Sequence, residues 1–311
     1  MTIEKTWVGV DVSKDTLDVH LLPQAMSLQV SNTQSGIQKL VDTLAPLAVS
    51  LVVLESTGGL ERSLMAALHQ ATIPVAMVNP RKVKGLAISL GKAKTDAIDA
   101  YLLALFAQTF QPPGQPARAV ETQTLIDLVR RRRQLIQIQV AEKNRLSNAP
   151  ESVRAYIKAH LKQLKVHIDT LNQEIQTLTQ SQADYQRKQE ILLSVKGIGL
   201  VTAALCLAEL PELGQLTEKQ IARLVGVAPI NRDSGKHKGK RMITGGRTNV
   251  RCGLYIATLV ATRHNPVIKA FYQHLLDRGK LKKVAMVAAM RKLLVILNAM
   301  VRDNTTWHEA T

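Results

Sequence analysis

The 311-residue sequence predicts an α/β domain at the N-terminus, long coiled-coil helices in the middle and a mostly α-helical C-terminal domain. Three observations carry that prediction. Residues 1–33 hold three short alternating runs separated by turn residues, as in consecutive hairpins. Helix-spaced and continuous apolar segments then alternate as far as a Pro/Gly-rich break, "QPPGQPA", at 111–117. Beyond the break, apolar residues recur at helical and heptad spacing.

The elements follow in order. "TWVGVDV", "TLDVHLL" and "SLQVSN" read as strands, broken by "SKD" and "PQAM". "SGIQKLVDTLAPL" is helical, "SLVVLES" is a buried strand, "LERSLMAALHQA" is a helix and "PVAMVNP" a strand. Helices continue through "RKVKGLAISL" and "DAIDAYLLALFAQTF". Three antiparallel strands followed by alternating helix and strand is the order of an RNase H-like sheet, so residues 1–117 are assigned to one domain. From residue 118, "ETQTLIDLVRRRRQLIQIQVAEKNRL" is one long helix carrying Arg130, Arg131, Arg132 and Arg133, read as a solvated face or as a phosphate-tracking surface. In a second helix, Val153, Ile157, Leu161, Leu164, Ile168, Leu171, Ile175 and Leu178 form a coiled-coil seam. The seam either packs on the first helix or also joins protomers, and 118–190 is read as a spacer and oligomerisation region. The rest, 191–311, forms the third part.

Charge separates the chain's two ends. The whole carries +17, yet residues 1–80 hold four Lys or Arg against seven Asp or Glu, a balance of −3 that leaves +20 for the remainder. A basic field of this size attracts polyanions, above all nucleic acid. Aromatic residues make up 3% of the chain, too few for stacking platforms, so duplex or backbone contacts are expected to dominate. Cys206 and Cys252 lack metal-site spacing and are each read as a small buried residue of a cytoplasmic protein. No signal peptide is expected, and no membrane span, because Arg291 and Lys292 interrupt the apolar C-terminal run.

Four acids of the first domain invite a metal. Asp11 ends the first strand, Glu55 ends "SLVVLE", and Asp96 and Asp99 lie at i, i+3 on one helix face. Strands one and four are neighbours in the proposed sheet, so Asp11 and Glu55 fall side by side. Clustered carboxylates repel unless a cation neutralises them, and hard oxygen ligands suit Mg²⁺ or Mn²⁺ in phosphoryl transfer. The acids also have plainer explanations: Asp96 as a helix N-terminal acid favoured by the dipole, Asp99 as an exposed helix residue, Asp11 as the phosphate loop of an actin-like ATPase.

In the third part, "LLSVKGIGLVTAALCLAEL" (192–210) reads as a helix-hairpin-helix whose Gly197 and Gly199, beside Lys196, would aim backbone N–H groups at a phosphate. A tight turn between core helices is the alternative. "RDSGKHKGKRMITGGRTNVR" then sets Ser234 among Arg232, Lys236, Lys238, Lys240, Arg241, Arg247 and Arg251, a phosphate-binding loop by composition.

"VGVDVSKDTLDV", "LESTGG", "KTDAIDA", "GIGLVTAA" and "GVAPINRDSGKHKGKRMITGGRTNVRCGLYIA", in that order, resemble the DEDD-type insertion-sequence transposases, the family that includes the Piv-like DNA invertases. The resemblance spans nearly the whole chain, the coiled-coil region matching in character rather than in motif. It implies a RuvC-like catalytic domain, a coiled-coil spacer and a transposase domain with a serine. The family's acids fall on Asp11, Glu55, Asp96 and Asp99, with Glu61 a nearby competitor for the second position, and its serine falls on Ser234. It implies DNA as donor and target and a structured guide RNA as partner; a homo-oligomer (dimer or tetramer) is expected from the seam, and a bacterial, nucleoid-associated location from the function.

Serine is a weak nucleophile at neutral pH and needs a base, a metal or a cationic field. The loop's cations would supply the field, and His237 is the one base within the loop. Metal-bound carboxylates from the first domain would have to meet the serine, and contact between protomers would give the coiled coil a purpose. A RuvC-like nuclease using water, with Ser234 a phosphate ligand, and a non-enzymatic basic DNA-binding protein are the rival classes.

Overall fold

The computed structural model describes residues 5–90, 96–231, 233–234, 237–239 and 241–307, without the side chains of 96–97, 233–234 and 237–238. The chain divides into two compact units, 1–118 and 119–311, the first ending at the Pro/Gly-rich break. The long helices group with the C-terminal helices in the second unit.

The first unit is built on a five-stranded sheet: β1 (Thr6–Val12), β2 (Thr16–Leu22), β3 (Met26–Ser31), β4 (Val49–Glu55) and β5 (Val75–Val78). Its order is β3-β2-β1-β4-β5, with β1 to β3 antiparallel and β4 and β5 added parallel to β1. That mixed order is the RNase H-like arrangement. Alternation along β1 and β4 gives each face its own core. Val8, Val10, Val12, Val52 and Leu54 pack with α1 (Gln34–Leu44) and α2 (Arg62–Gln70). Trp7, Leu51 and Val53 pack with α3 (Pro80–Ser89) and α4 (Asp96–Phe110). α1 shows why such a segment is helical: Thr33 accepts the Gly36 N–H as cap, and Ile37, Leu40, Val41 and Leu44 make one apolar stripe.

Gly9 sets how closely α4 lies on the sheet. A Cβ there would collide with the backbone of Ala100 and Ala104, so α4 rides directly on β1. Trp7, at the start of β1, shares a core with Phe106 and Ala107, toward the end of α4. The helix therefore runs opposite to β1, and its N-terminus lies toward the carboxyl end of that strand.

In the second unit α5 (Val120–Ser147) and α6 (Glu151–Ser181) form a long helical pair. The seam packs within the chain: Leu164 and Ile168 bury against Leu135 of α5, with Leu171 beside them. Ile175 joins the main core at the base, whereas Val153 near the tip is 41% exposed. That core gathers α7 (Ala183–Leu193), α8 (Leu200–Glu209), α9 (Glu218–Val225), α10 (Thr248–His264), α11 (Pro266–Asp277) and α12 (Lys282–Arg302). By length and composition α12 is apolar enough to cross a membrane, but Ala285, Ala289, Leu293, Leu294 and Leu297 are buried in the core. Arg291 and Lys292 occupy its half-buried side, and Lys292 Nζ lies 4.5 Å from the centre of the Phe271 ring. Cys206 is buried, and burial pushes its thiol up to about 12. Cys252 corrects the expectation that both cysteines are buried: it is exposed, on α10.

Candidate functional site

The carboxyl ends of β1 and β4 bring two predicted acids together. Their parallel register pairs Val10 with Leu54, so Asp11 and Glu55 are the next residues on neighbouring strands. Both follow the alternation of Gly9 and Val53, on the α4 side of the sheet, and both are half-buried. Asp99, also half-buried, directly precedes the Ala100 that touches Gly9, which puts it toward the same edge. Asp96 is the first residue of α4, and its side chain lies outside the described residues, as do residues 91–95. Among the described residues no three His, Cys, Asp or Glu side chains cluster as a metal site would require.

Glu61 has a different occupation. Its buried carboxylate accepts from the Thr57 N–H at 3.3 Å, the Thr57 hydroxyl at 2.8 Å and the Gly59 N–H at 2.8 Å. Burial alone would raise its pKa, but these bonds and one from its own backbone outweigh that and lower it. Glu61 is thus the residue that folds the "STGGLE" turn after β4. Glu61, the nearby competitor for the position given to Glu55, is engaged with this turn.

The second unit holds the predicted serine loop. The sequence reading made 232–251 a loop, and the structure puts two short ladders there: β6 (Pro229–Ile230) with β9 (Met242–Ile243), and β7 (Asp233–Ser234) with β8 (His237–Lys238). In the second ladder Ser234 pairs across the strands with His237. Arg232, Lys236 and Lys240 lie outside the described residues, and Lys238 is described only in its backbone. Arg241 is exposed.

The other two arginines of the stretch are engaged inside the fold. Arg247 forms a two-armed ion pair with Glu212 and also donates to the Glu209 carbonyl at 2.9 Å. Arg251 donates to the carbonyls of Val225 and Gly245 and to the Thr248 hydroxyl. Gly245 and Gly246 press so tightly on Gly226 that a Cβ on Gly226 or Gly246 would clash. The Arg251 guanidinium ties the end of α9 to the "TGGR" segment, and that of Arg247 ties the same segment to the end of α8 and the turn after it, roles that residue counting does not reveal.

The predicted helix-hairpin-helix glycines also separate. Gly197 has φ +111°, and a Cβ there would lie 2.7 Å from Ala261 Cβ and 2.9 Å from the Ala257 carbonyl, so this glycine serves packing against α10. Gly199 faces open space at the N-cap of α8 with ordinary φ, and Lys196 is exposed. In the basic quartet, Arg130 and Arg131 are exposed whereas Arg132 and Arg133 are half-buried. Arg132 Nε donates to Asn172 Oδ1 at 2.6 Å, joining α5 to α6.

Two family profiles match this chain. The DEDD transposase profile of the IS110 type covers residues 8–153, and that of the transposase IS116/IS110/IS902 family covers 189–273. This chain belongs to the IS110-type transposase family. The first match contains Asp11, Glu55, Asp96 and Asp99, and the second contains Gly197, Gly199 and Ser234. This transposase is similar to the pilin gene-inverting proteins of Moraxella bovis and Moraxella lacunata, each 26% identical with 97% of both chains covered. It is 29% identical to an uncharacterized 42 kDa protein of insertion element IS900 from Mycobacterium paratuberculosis, over 52% of this chain and 41% of that one. Among solved structures, T. thermophilus RuvC in complex with a Holliday junction substrate matches 36% of the transposase and all of its own chain. At TM-score 0.28 and 14% identity that likeness carries nothing further, and the RNase H-like assignment rests on the strand order. As a transposase, the protein is an enzyme that breaks and rejoins DNA.

Proposed function

We propose that this transposase is a site-specific DNA recombinase of an insertion sequence, exchanging strands through a serine ester with help from a metal-binding carboxylate edge. The observation that carries the reading is the register of β1 and β4, which sets Asp11 beside Glu55 at the end of the sheet toward which α4 brings Asp99. Carboxylate oxygens are the donors Mg²⁺ or Mn²⁺ prefers, so the residue types at this edge fit such an ion, with Asp96 as the fourth ligand. A divalent ion there would neutralise the acids and polarise a phosphate oxygen. The inverting activity named for the Moraxella relatives agrees with recombination rather than simple hydrolysis.

In the proposed step Ser234 Oγ loses its proton and bonds to a DNA phosphorus, while the bond to one deoxyribose oxygen breaks and that oxygen leaves as a hydroxyl. The phosphoserine ester conserves the bond energy, so attack by a new strand end restores the DNA without ATP. His237, the cross-strand neighbour of Ser234, is the candidate acceptor of the serine proton. Arg241, Lys238 and the other loop cations would neutralise the phosphate, a structured guide RNA would choose the sites, and a homo-oligomer would hold the two DNA partners.

The test is a covalent one. Wild-type protein incubated with its own element's DNA ends and Mg²⁺ should retain labelled DNA in denaturant, and Ser234→Ala should retain none while binding DNA as before. Strand exchange by Ser234→Ala at the wild-type rate would overturn the serine ester. It would favour instead a junction nuclease in which metal-activated water attacks.

A further inference from the structure

A cleft of about 480 Å³ opens in the second unit between α5, α6, α8 and α10, apart from the Ser234 ladder. Its walls are mostly aliphatic, with Val129 of α5 on one side and Val201 and Ile256 on the other. Val201 and Ile256 are 48% and 59% exposed, so the apolar lining opens to solvent. Two guanidiniums, Arg132 and Arg133, also line it.

The cations make the cleft unusual. Both are half-buried, and neither has a carboxylate partner among the described residues. A partly desolvated charge without a counter-charge is costly, and burial lowers the pKa of Arg132. Its Nε bond to Asn172 fixes the plane of the guanidinium, while Gln176 and Asn249 add amide groups to the lining. Such a cleft suits a ligand with an anionic end and a flat, mostly apolar body that carries hydrogen-bonding edges. A nucleotide has all three properties, and its phosphate supplies the missing counter-charge. With aromatics at 3% of the chain, guanidinium planes and aliphatic walls are what this protein has for holding an unstacked base.

We infer that this cleft is a pocket for a single unpaired nucleotide of the nucleic acid on which the transposase acts, its base between Val129 and Ile256 and its phosphate on Arg132 and Arg133. The inference rests on the recombinase reading for the identity of the polymer, but not on Ser234 or the acidic edge. Exposed Arg130 and Arg131 on the same turn of α5 would track the strand to either side.

Cys252 lines the cleft and is exposed, whereas Cys206 is buried with its thiol pKa pushed up to about 12, so a thiol reagent reports on the cleft alone. The full-length protein is alkylated with N-ethylmaleimide in the presence of a single-stranded oligonucleotide, the same oligonucleotide made fully abasic, or a blunt duplex of equal length. Saturating single strand should slow modification of Cys252 about tenfold or more, the abasic strand and the duplex much less, because only an unpaired base enters the pocket. Prealkylated protein should lose its preference for the base-bearing over the abasic strand while still binding duplex. Equal protection by abasic and base-bearing strands, or no protection by either, would overturn the inference. So would slow alkylation without nucleic acid that depends on protein concentration, since a second copy would then fill the cleft. No strand cleavage enters this measurement, so its failure leaves the recombinase reading standing, whereas loss of all DNA binding would strike at both.

Discussion

At the carboxyl edge of the first unit, charged residues are placed by backbone hydrogen bonds, and in the second unit they are placed by what their side chains touch. The ladder that pairs Val10 with Leu54 would carry Asp11 and Glu55 to the sheet edge whatever side chains those positions bore. Arg247 and Arg251, by contrast, are themselves part of what holds their neighbourhood together, through Glu212, Glu209, Val225 and Gly245. The positions of the acids at the sheet edge are thus set by the backbone ladder rather than by residue type. Some cations of the basic half are already spent on the fold.

The largest expected effect breaks the comparison on its acidic side. Asp11→Ala should lower strand cleavage by more than about 100-fold, beyond what losing an outer partner of a metal ligand costs, and leave the melting temperature and DNA binding nearly unchanged. Glu61→Gln should do the reverse: cleavage per folded molecule persists, and stability at neutral pH falls by about 1.5–3 kcal/mol as charge-assisted bonds to Thr57 and Gly59 weaken. The sign follows from its lowered pKa in the folded protein. The stabilisation is complete above the ordinary glutamate range and is lost as pH falls through the folded value, so wild type and Glu61→Gln should converge in acid. Denaturant melts across pH, set beside cleavage assays, measure both. An Asp11→Ala protein that cleaves normally, or unfolds, would remove the contrast.

These cases show what was legible in the sequence. The order of the N-terminal elements could be read because strand alternation, apolar helix stripes and the break at 111–117 are local signals. The pairing of Asp11 with Glu55 followed once the strand order was assumed. Cys252, Gly197, Arg247 and Arg251 were not legible, because exposure and partners there depend on how α10 packs on α8, α9 and the turns beside them, contacts that join residues 26 to 64 positions apart. The seam of α6 was visible as a periodicity, but its partner, Leu135 of α5, was not fixed by spacing. The ladder opposing Ser234 and His237 is two residues long on each strand, too short for alternation to show.

A smaller effect sharpens the comparison within the glycine turn. Gly197→Ala forces a methyl group into α10 at a backbone angle of φ +111° and should cost about 1–3 kcal/mol from overpacking, with roughly 1 more from backbone strain. Gly199→Ala meets open space and should cost below about 1 kcal/mol as a poorer helix cap. Calorimetric melts order the two. If Gly197→Ala melts like wild type yet loses DNA affinity, the turn serves phosphate binding rather than packing.

The smallest effect concerns two arginines six positions apart. Arg247 and Glu212 are each about one-third exposed at the side chain, so the ion pair is partly screened, and Arg247→Ala also leaves the Glu209 carbonyl without its donor. A loss of about 1–2 kcal/mol in stability is expected, toward the low end for hydrogen bonds to charged groups because of that screening. Arg241 is exposed, so Arg241→Ala should alter stability by less than about 0.5 kcal/mol. If Arg241 neutralises a phosphate, its loss should instead reduce the slope of log affinity against log salt by about one, uniformly across DNA sequences. Arg247→Ala, once corrected for unfolded protein, should keep the wild-type slope, because its charge is already matched by Glu212. Salt titrations of DNA binding at a temperature where both variants are folded separate the two. A reduced slope in Arg247→Ala would mean that DNA draws this guanidinium away from Glu212 on binding, and the division between structural and phosphate-binding cations would then hold only for the free protein.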